Sequence, residues 1–123
     1  MKTKLLIVAA CTFFAVNASA QTAAELVGKW KMVKWTKNGT ERDIMSEYKT
    51  DQVFQIFQED GKFISRIGTE DHNGKWKLSD DNKKLTIRSG LFSVPFSVDY
   101  FDSKKRVITT DALGTLEYQK IVE

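Results

Sequence analysis

The sequence predicts an all-β protein, an eight-stranded antiparallel up-and-down meander barrel preceded by a short N-terminal helical turn. Three observations lead there. Turn-forming clusters punctuate the chain at Asn38-Gly39, Asp60-Gly61, Asn73-Gly74, Asp80-Asp81-Asn82, Ser89-Gly90, Asp102-Ser103-Lys104 and Leu113-Gly114, residue types that accept a positive φ or hydrogen-bond their own backbone. The segments between them are short and apolar-rich, and in places they alternate strictly, as half-buried strands do. All connections but one are short, so sequence neighbours should pair in space, and eight such strands remove their exposed edges most completely by closing into a barrel.

The chain opens with the pattern of a secretory leader over residues 1–20. Lys2 and Lys4 precede apolar Leu5 to Val16, and Ala18-Ser19-Ala20 follows as a small-residue cleavage site. A mature chain from Gln21 is expected, exported to the periplasm or secreted. Cys11, after Val8-Ala9-Ala10, has the look of a lipid-attachment cysteine. It comes too early, with apolar residues continuing past it to Val16, which argues against acylation there. No later run approaches the roughly 20 apolar residues of a membrane-spanning helix.

Taking Lys2 and Lys4 from the 19 basic residues leaves 17 against 16 acidic ones, a net charge of +1. A near-neutral domain lacks the basic footprint of nucleic-acid or anionic-membrane binding. The only cysteine lies in the leader, so one domain over residues 21–123 must be held by its core without disulfides, which favours a bacterial periplasm over a eukaryotic secretory route. Three Trp, three Tyr and the six Phe outside the leader supply that core. A monomer is expected.

Within the mature chain, Thr22 and Glu25 are spaced as a capping box for one helical turn ending at Leu26, and nothing later reads as helical. Strands are expected near 28–36, 52–58, 62–68, 74–79, 84–88, 93–101, 106–110 and 115–122. In the first, Trp30 and Met32 share one parity and Trp35 the other, so Trp35 should face outward. Around Phe54 both parities carry apolar residues, and the Asp60-Gly61 turn decides between them. A three-residue loop with a glycine bulge pairs Phe57 with Phe63 on the inner face and brings Gln55 and Ser65 inward as a polar pair. Val94, Phe96, Val98 and Tyr100 alternate with Ser93, Pro95, Ser97 and Asp99, giving an inner and an outer face; Pro95 predicts a bulge or poor pairing near the start of that strand. The long connection, residues 37–51, carries Ile44, Met45 and Tyr48 among its charges. Those residues would cover a barrel mouth or shield Trp35.

Leu26-Val27-Gly28-Lys29-Trp30, after a helical turn, resembles the opening of lipocalins, in which a Gly-x-Trp motif begins the first strand. With the eight-strand count and the ending Tyr118-Gln119-Lys120, the chain is similar to the short lipocalin-like (calycin-type) proteins of Gram-negative bacteria. The resemblance implies that Gly28 lets the chain enter the barrel base tightly and that the indole of Trp30 plugs it, with Lys120 as the basic side chain over that indole. It also implies that Trp76, in the second Gly-Lys-Trp-Lys, is a further core aromatic. The chain is much shorter than full-length lipocalins and lacks a clear C-terminal helix.

Two functions follow as expectations. In one, the interior holds a small apolar or amphiphilic ligand lined by Trp30, Met32, Phe57, Phe63, Trp76, Phe96, Tyr100 and Tyr118, with Gln55 or Ser65 orienting it. In the other, the aromatics fill the interior, which eight-stranded barrels also allow. The protein then works by its surface, through Trp35, the 37–51 connection and Leu91-Phe92, as an envelope interaction module or enzyme inhibitor. Catalysis is not expected. His72 is the only histidine and reads as a surface turn residue, no Gly-x-Ser-x-Gly turn is present, and without cysteine or a second histidine the usual zinc ligand sets are missing. No cofactor is implied.

Overall fold

The structure, a computed structural model, describes residues 23–122. The leader, Cys11 and the Thr22 half of the capping box lie outside the described residues. Helix α1 (Ala23–Leu26) leads into β1 (Gly28–Lys37). Then come β2 (Thr40–Arg42), helix α2 (Ile44–Tyr48), β3 (Val53–Phe57), β4 (Lys62–Ile67), β5 (Glu70–Leu78), β6 (Lys84–Ser89), β7 (Phe92–Phe101), β8 (Lys105–Thr110) and β9 (Gly114–Lys120).

Strands β1 and β3 to β9 pair antiparallel in chain order, and β9 returns to β1 from Trp30 opposite Lys120 to Thr36 opposite Thr115. That pairing closes an eight-stranded barrel. The first residues of β1 pair with β3, Gly28 opposite Phe57, while its last three pair with β2, Trp35 opposite Arg42. Strand β2 is thus a short hairpin arm on β1, turned by Asn38 and Gly39 at positive φ, and lies outside the eight expected strands.

One expected turn is not a turn. Strand β5 begins at Glu70, so His72, Asn73 and Gly74 lie within it, opposite Ser65, Ile64 and Phe63 of β4. The chain reverses earlier, between Ile67 and Glu70, with Gly68 at φ 64°. Gly74 has a different use: a Cβ there would run into the carbonyl oxygen of Arg88, so the glycine lets β5 and β6 approach closely.

Strict alternation fails at two bulges, and each reverses an expectation. Between Met32 and Lys34 the register with β9 slips by one residue at Val33. A bulge adds one residue and exchanges the faces beyond it. Trp35 therefore points inward beside Leu116 and is buried, where the parity of the sequence had placed it outside. The second slip, at Asp99, lies between Val98 and Tyr100. It turns Tyr100 out, its hydroxyl donating to Asp102 at 2.6 Å, and puts Phe101 in the core instead. The expectation that Tyr100 lines the interior is thereby corrected. The bulge is at the far end of β7 from Pro95; around Pro95 itself, residues 92–96 pair with β6 alone.

The 37–51 connection is more ordered than a loop. Asp43 caps α2 by accepting from the Met45 amide at 3.2 Å, and Lys49 ends it in the left-handed region, its N–H donating to the Met45 carbonyl. The expectation of no helix after Leu26 misses this single turn. Ile44 and Tyr48 pack on the core, with the Tyr48 ring 5.7 Å from that of Trp35. The connection so covers Trp35 at the end of the barrel opposite α1.

Candidate ligand-binding site

The two ends of the barrel are built differently. At the α1 end Trp30 is fully buried, and its Nε1–H donates to the Leu26 carbonyl at 2.9 Å. Lys120 lies over the indole, Nζ 5.0 Å from the ring, and donates to the carbonyls of Val27 at 2.7 Å and Glu25 at 3.0 Å. Burial lowers the Lys120 ammonium below its ordinary value. Gly28 sits at φ 134°, a backbone conformation that residues with a Cβ rarely adopt, and a Cβ there would also displace the Lys120 side chain, whose Cε lies 2.6 Å from that position. Phe101 meets Trp30 edge to face at 5.7 Å, and Phe57 does the same with Phe63 at 5.1 Å. This end is sealed by packing.

At the other end a recess of about 250 Å³ enters the barrel between β3, β4, β5, β6 and β7. Its wall is Gln55, Phe63, Ser65, His72, Ile87, Ser89, Phe92, Val94 and Phe96. The side chains come from alternate positions, as inward-facing residues of neighbouring strands must. Phe92 continues the inner row of Val94 and Phe96, yet it is 77% exposed. An inner-face aromatic left open to solvent marks this end as a mouth. Larger hollows, about 540 Å³ beside α2 and 520 Å³ along β5 to β7, are bounded largely by charged and polar residues and lie outside the wall.

Deep in the barrel, Arg106 of β8 is fully buried, opposite Tyr118 and Phe101 in register. Its guanidinium carbon lies 4.3 Å from the centre of the Tyr118 ring, 4.9 Å from that of Phe57 and 5.0 Å from that of Trp30. Nη2 donates to Oε1 of Gln55 at 2.7 Å, while Nε and Nη1 have no partner among the described residues. Burial pulls the guanidinium down to about 10, partly opposed by the Tyr118 hydroxyl, so it remains a cation at neutral pH. The same burial pushes the Tyr118 phenol up. The result is a cation in an aromatic cage with one neutral hydrogen-bond partner.

Of the lining residues expected from the sequence, Gln55, Phe63, Ser65 and Phe96 bound the recess. Trp30, Met32, Phe57 and Tyr118 are buried in the packed part of the barrel and do not bound it. Trp76 is half-buried, packs edge to face on Phe57 at 5.7 Å and donates from Nε1 to the Gln58 carbonyl at 3.0 Å. Tyr100 is outside. His72, Ser89 and Phe92 bound the recess and Arg106 lies in the core, roles not expected from the sequence, although His72 and Phe92 are exposed as surface readings of them require. His72 was hidden by the false turn at Asn73-Gly74. For Arg106 a signal existed: a β8–β9 hairpin centred on residue 112 places it opposite Tyr118, an expected inner residue.

Comparisons with known proteins agree with this architecture. Residues 26–115 match the lipocalin-like domain. A lipocalin-like protein from Bacteroides uniformis shares 19% identity at a TM-score of 0.62, over 79% of this chain and 99% of that one. An uncharacterized protein from Bacteroides eggerthii shares 18% at the same TM-score, over 77% and 98%. No curated protein matches the chain. Among the described residues no helix is long and apolar enough to cross a membrane. With its closed eight-stranded barrel, its Trp30 floor under Lys120 and a family match spanning most of its length, the chain belongs to the lipocalin-like domain family.

Proposed function

We propose that this protein is an exported, non-catalytic binding barrel that takes a small apolar or amphiphilic ligand through the mouth at Phe92. The observation that carries the reading is the contrast between the ends. One is closed by Trp30, α1 and Lys120; the other exposes an inner-face phenylalanine above a recess of about 250 Å³. At about 30 Å³ per water, that recess corresponds to about eight waters, smaller than most drug-sized sites. It suits a short ligand or the leading part of a longer one. The recess wall mixes aromatic and aliphatic groups with Gln55, Ser65, His72 and Ser89, the few polar groups by which such sites orient a ligand.

Native mass spectrometry of the protein purified from its own host tests this. A retained small molecule, or quenching of tryptophan fluorescence on adding fatty acids, retinoids or haem, is the expected result. Protein that comes out empty and does not respond to those additions would overturn it.

One observation favours a second reading. Leu91 is 102% exposed and adjoins Phe92 at the tip of the β6–β7 hairpin, an apolar point suited to a protein partner in the envelope. Loss of partner capture in Leu91→Ser, with small-molecule binding unchanged or absent, would favour that reading.

A further inference from the structure

We propose that the ligand is a short aliphatic monocarboxylic acid, whose carboxylate displaces the Gln55 amide oxygen and pairs with the buried Arg106 guanidinium. The inference rests on the binding reading above and names the class of ligand. Gln55 connects the two regions: it lines the recess and also accepts from Nη2 of Arg106 at 2.7 Å. That side chain bridges the cation and the open space.

The guanidinium lacks what a buried cation normally has. It carries five N–H groups, and among the described residues no carboxylate pairs with it and Nε and Nη1 have no hydrogen-bond partner. Buried charges are ordinarily paired and hydrogen-bonded. The rings of Trp30, Phe57 and Tyr118 offer attraction to a cation but accept none of its N–H groups in the way an oxygen does. Nη2 belongs to both two-nitrogen edges of a guanidinium. A carboxylate at the position of the Gln55 oxygen can thus engage Nη2 and one of the two unpartnered nitrogens together, which a single amide oxygen does not.

The recess selects the rest of the molecule. Beyond Gln55 its wall is mainly Phe63, Phe96, Ile87, Val94 and Phe92, which fits an alkyl tail running toward the mouth. Its volume of about 250 Å³ limits the buried tail to a short one. Because the site is shielded from water, a headgroup without charge should bind there much less well.

The test is calorimetric titration of the mature chain with sodium octanoate and, separately, with 1-octanol at neutral pH, repeated on Arg106→Met and Gln55→Glu. Octanoate is expected to bind the unaltered protein at least tenfold more tightly than octanol. Arg106→Met should bring octanoate to the level of octanol. Gln55→Glu supplies Arg106 with an internal carboxylate, so it should raise the melting temperature and abolish the preference for octanoate. Equal affinity for the two probes, or a preference that survives Arg106→Met, overturns the carboxylate assignment and leaves the binding barrel standing. Failure of both probes to bind the unaltered protein overturns the two readings together. Should a variant fail to fold, the Arg106 Nε–H resonance of the unaltered protein decides: octanoate must shift it and octanol must not, and an unmoved resonance overturns the proposal.

Discussion

Replacing Arg106 with methionine should make the ligand-free protein more stable. The guanidinium is fully buried and its pKa is lowered from 12.5 to about 10. At 1.36 kcal/mol per pKa unit, that shift corresponds to about 3 kcal/mol of environment opposing the charged form. Against it stand the three ring contacts at 4.3 to 5.0 Å, worth roughly 0.5 to 2 kcal/mol each. Methionine retains part of that, since its sulfur makes aromatic contacts of about 0.3 to 1.5 kcal/mol, and its side chain leaves no buried N–H unsatisfied. Gln55 loses its donor but is only half-buried at the recess wall, where water can replace it. The charge penalty and the ring contacts are of similar size, so the sign is set by the two N–H-bearing nitrogens that arginine leaves unsatisfied, about 1 to 3 kcal/mol each, less the one bond to Gln55; the balance is a gain of about 1 to 3 kcal/mol, in line with buried ions replaced by apolar side chains elsewhere. For a domain of this size that is a rise of about 5 to 15 °C in melting temperature, read by circular dichroism. A fall in melting temperature would refute the reasoning, because it would mean that the aromatic cage already compensates the cation in full. A stability gain with loss of octanoate binding is the pattern of a group kept for function at a cost to the fold.

Four further outcomes are expected. Gly114 sits at φ 94° where a Cβ would meet the Thr36 carbonyl oxygen and approach the Lys37 Cα to 3.0 Å, so Gly114→Ala should destabilise the β1–β9 seam. The backbone strain and the clash cost about 1 to 3 kcal/mol each. Gly90→Ala, at φ 61° with nothing within 4 Å, should cost only about 1 to 2 kcal/mol, and urea titration of the two variants checks both values. Lys120→Ala removes two hydrogen bonds and the contact over Trp30, and should cost about 1 to 3 kcal/mol while raising the solvent quenching of Trp30 by acrylamide. In acid, stability should fall. The carboxyls of Asp71, held by Arg66, and of Asp102, held by Tyr100, lie below the usual carboxylate range. Their contribution is present above the unfolded-state value and lost as pH drops through the lower folded-state values, so Asp71→Asn should flatten that part of the acid melting profile.

Most of the architecture was legible because it depends on local chemistry. Six of the seven turn clusters mark real chain reversals, and the Asp60-Gly61 loop fixes the Phe57 to Phe63 register by its own length, with Gly61 at φ 88°. The Gly28-Lys29-Trp30 opening carries its packing role in three residues, which the sealed floor under Lys120 bears out. The candidate site was legible only in part, since the recess is the space that the inner rows leave, and a space has no residue of its own to announce it.

What the sequence by itself determined was the barrel and its strand order, because turn propensity, alternation and short connections act over a few residues each; its closed end was implied by the resemblance of the Gly28 to Trp30 opening to that of lipocalins. Which side of the wall a residue faces was decided in the tertiary structure at two points. The β1–β9 ladder that closes the barrel carries a bulge at Val33, and the β7–β8 ladder carries one at Asp99. Each extra residue exchanges inside for outside beyond it, which buries Trp35 and Phe101 and turns Tyr100 to solvent. The burial of Arg106 has the same origin. A lone arginine on a strand reads as a surface residue until the hairpin register sets it opposite Tyr118 and the closed wall leaves its charge no way out to water.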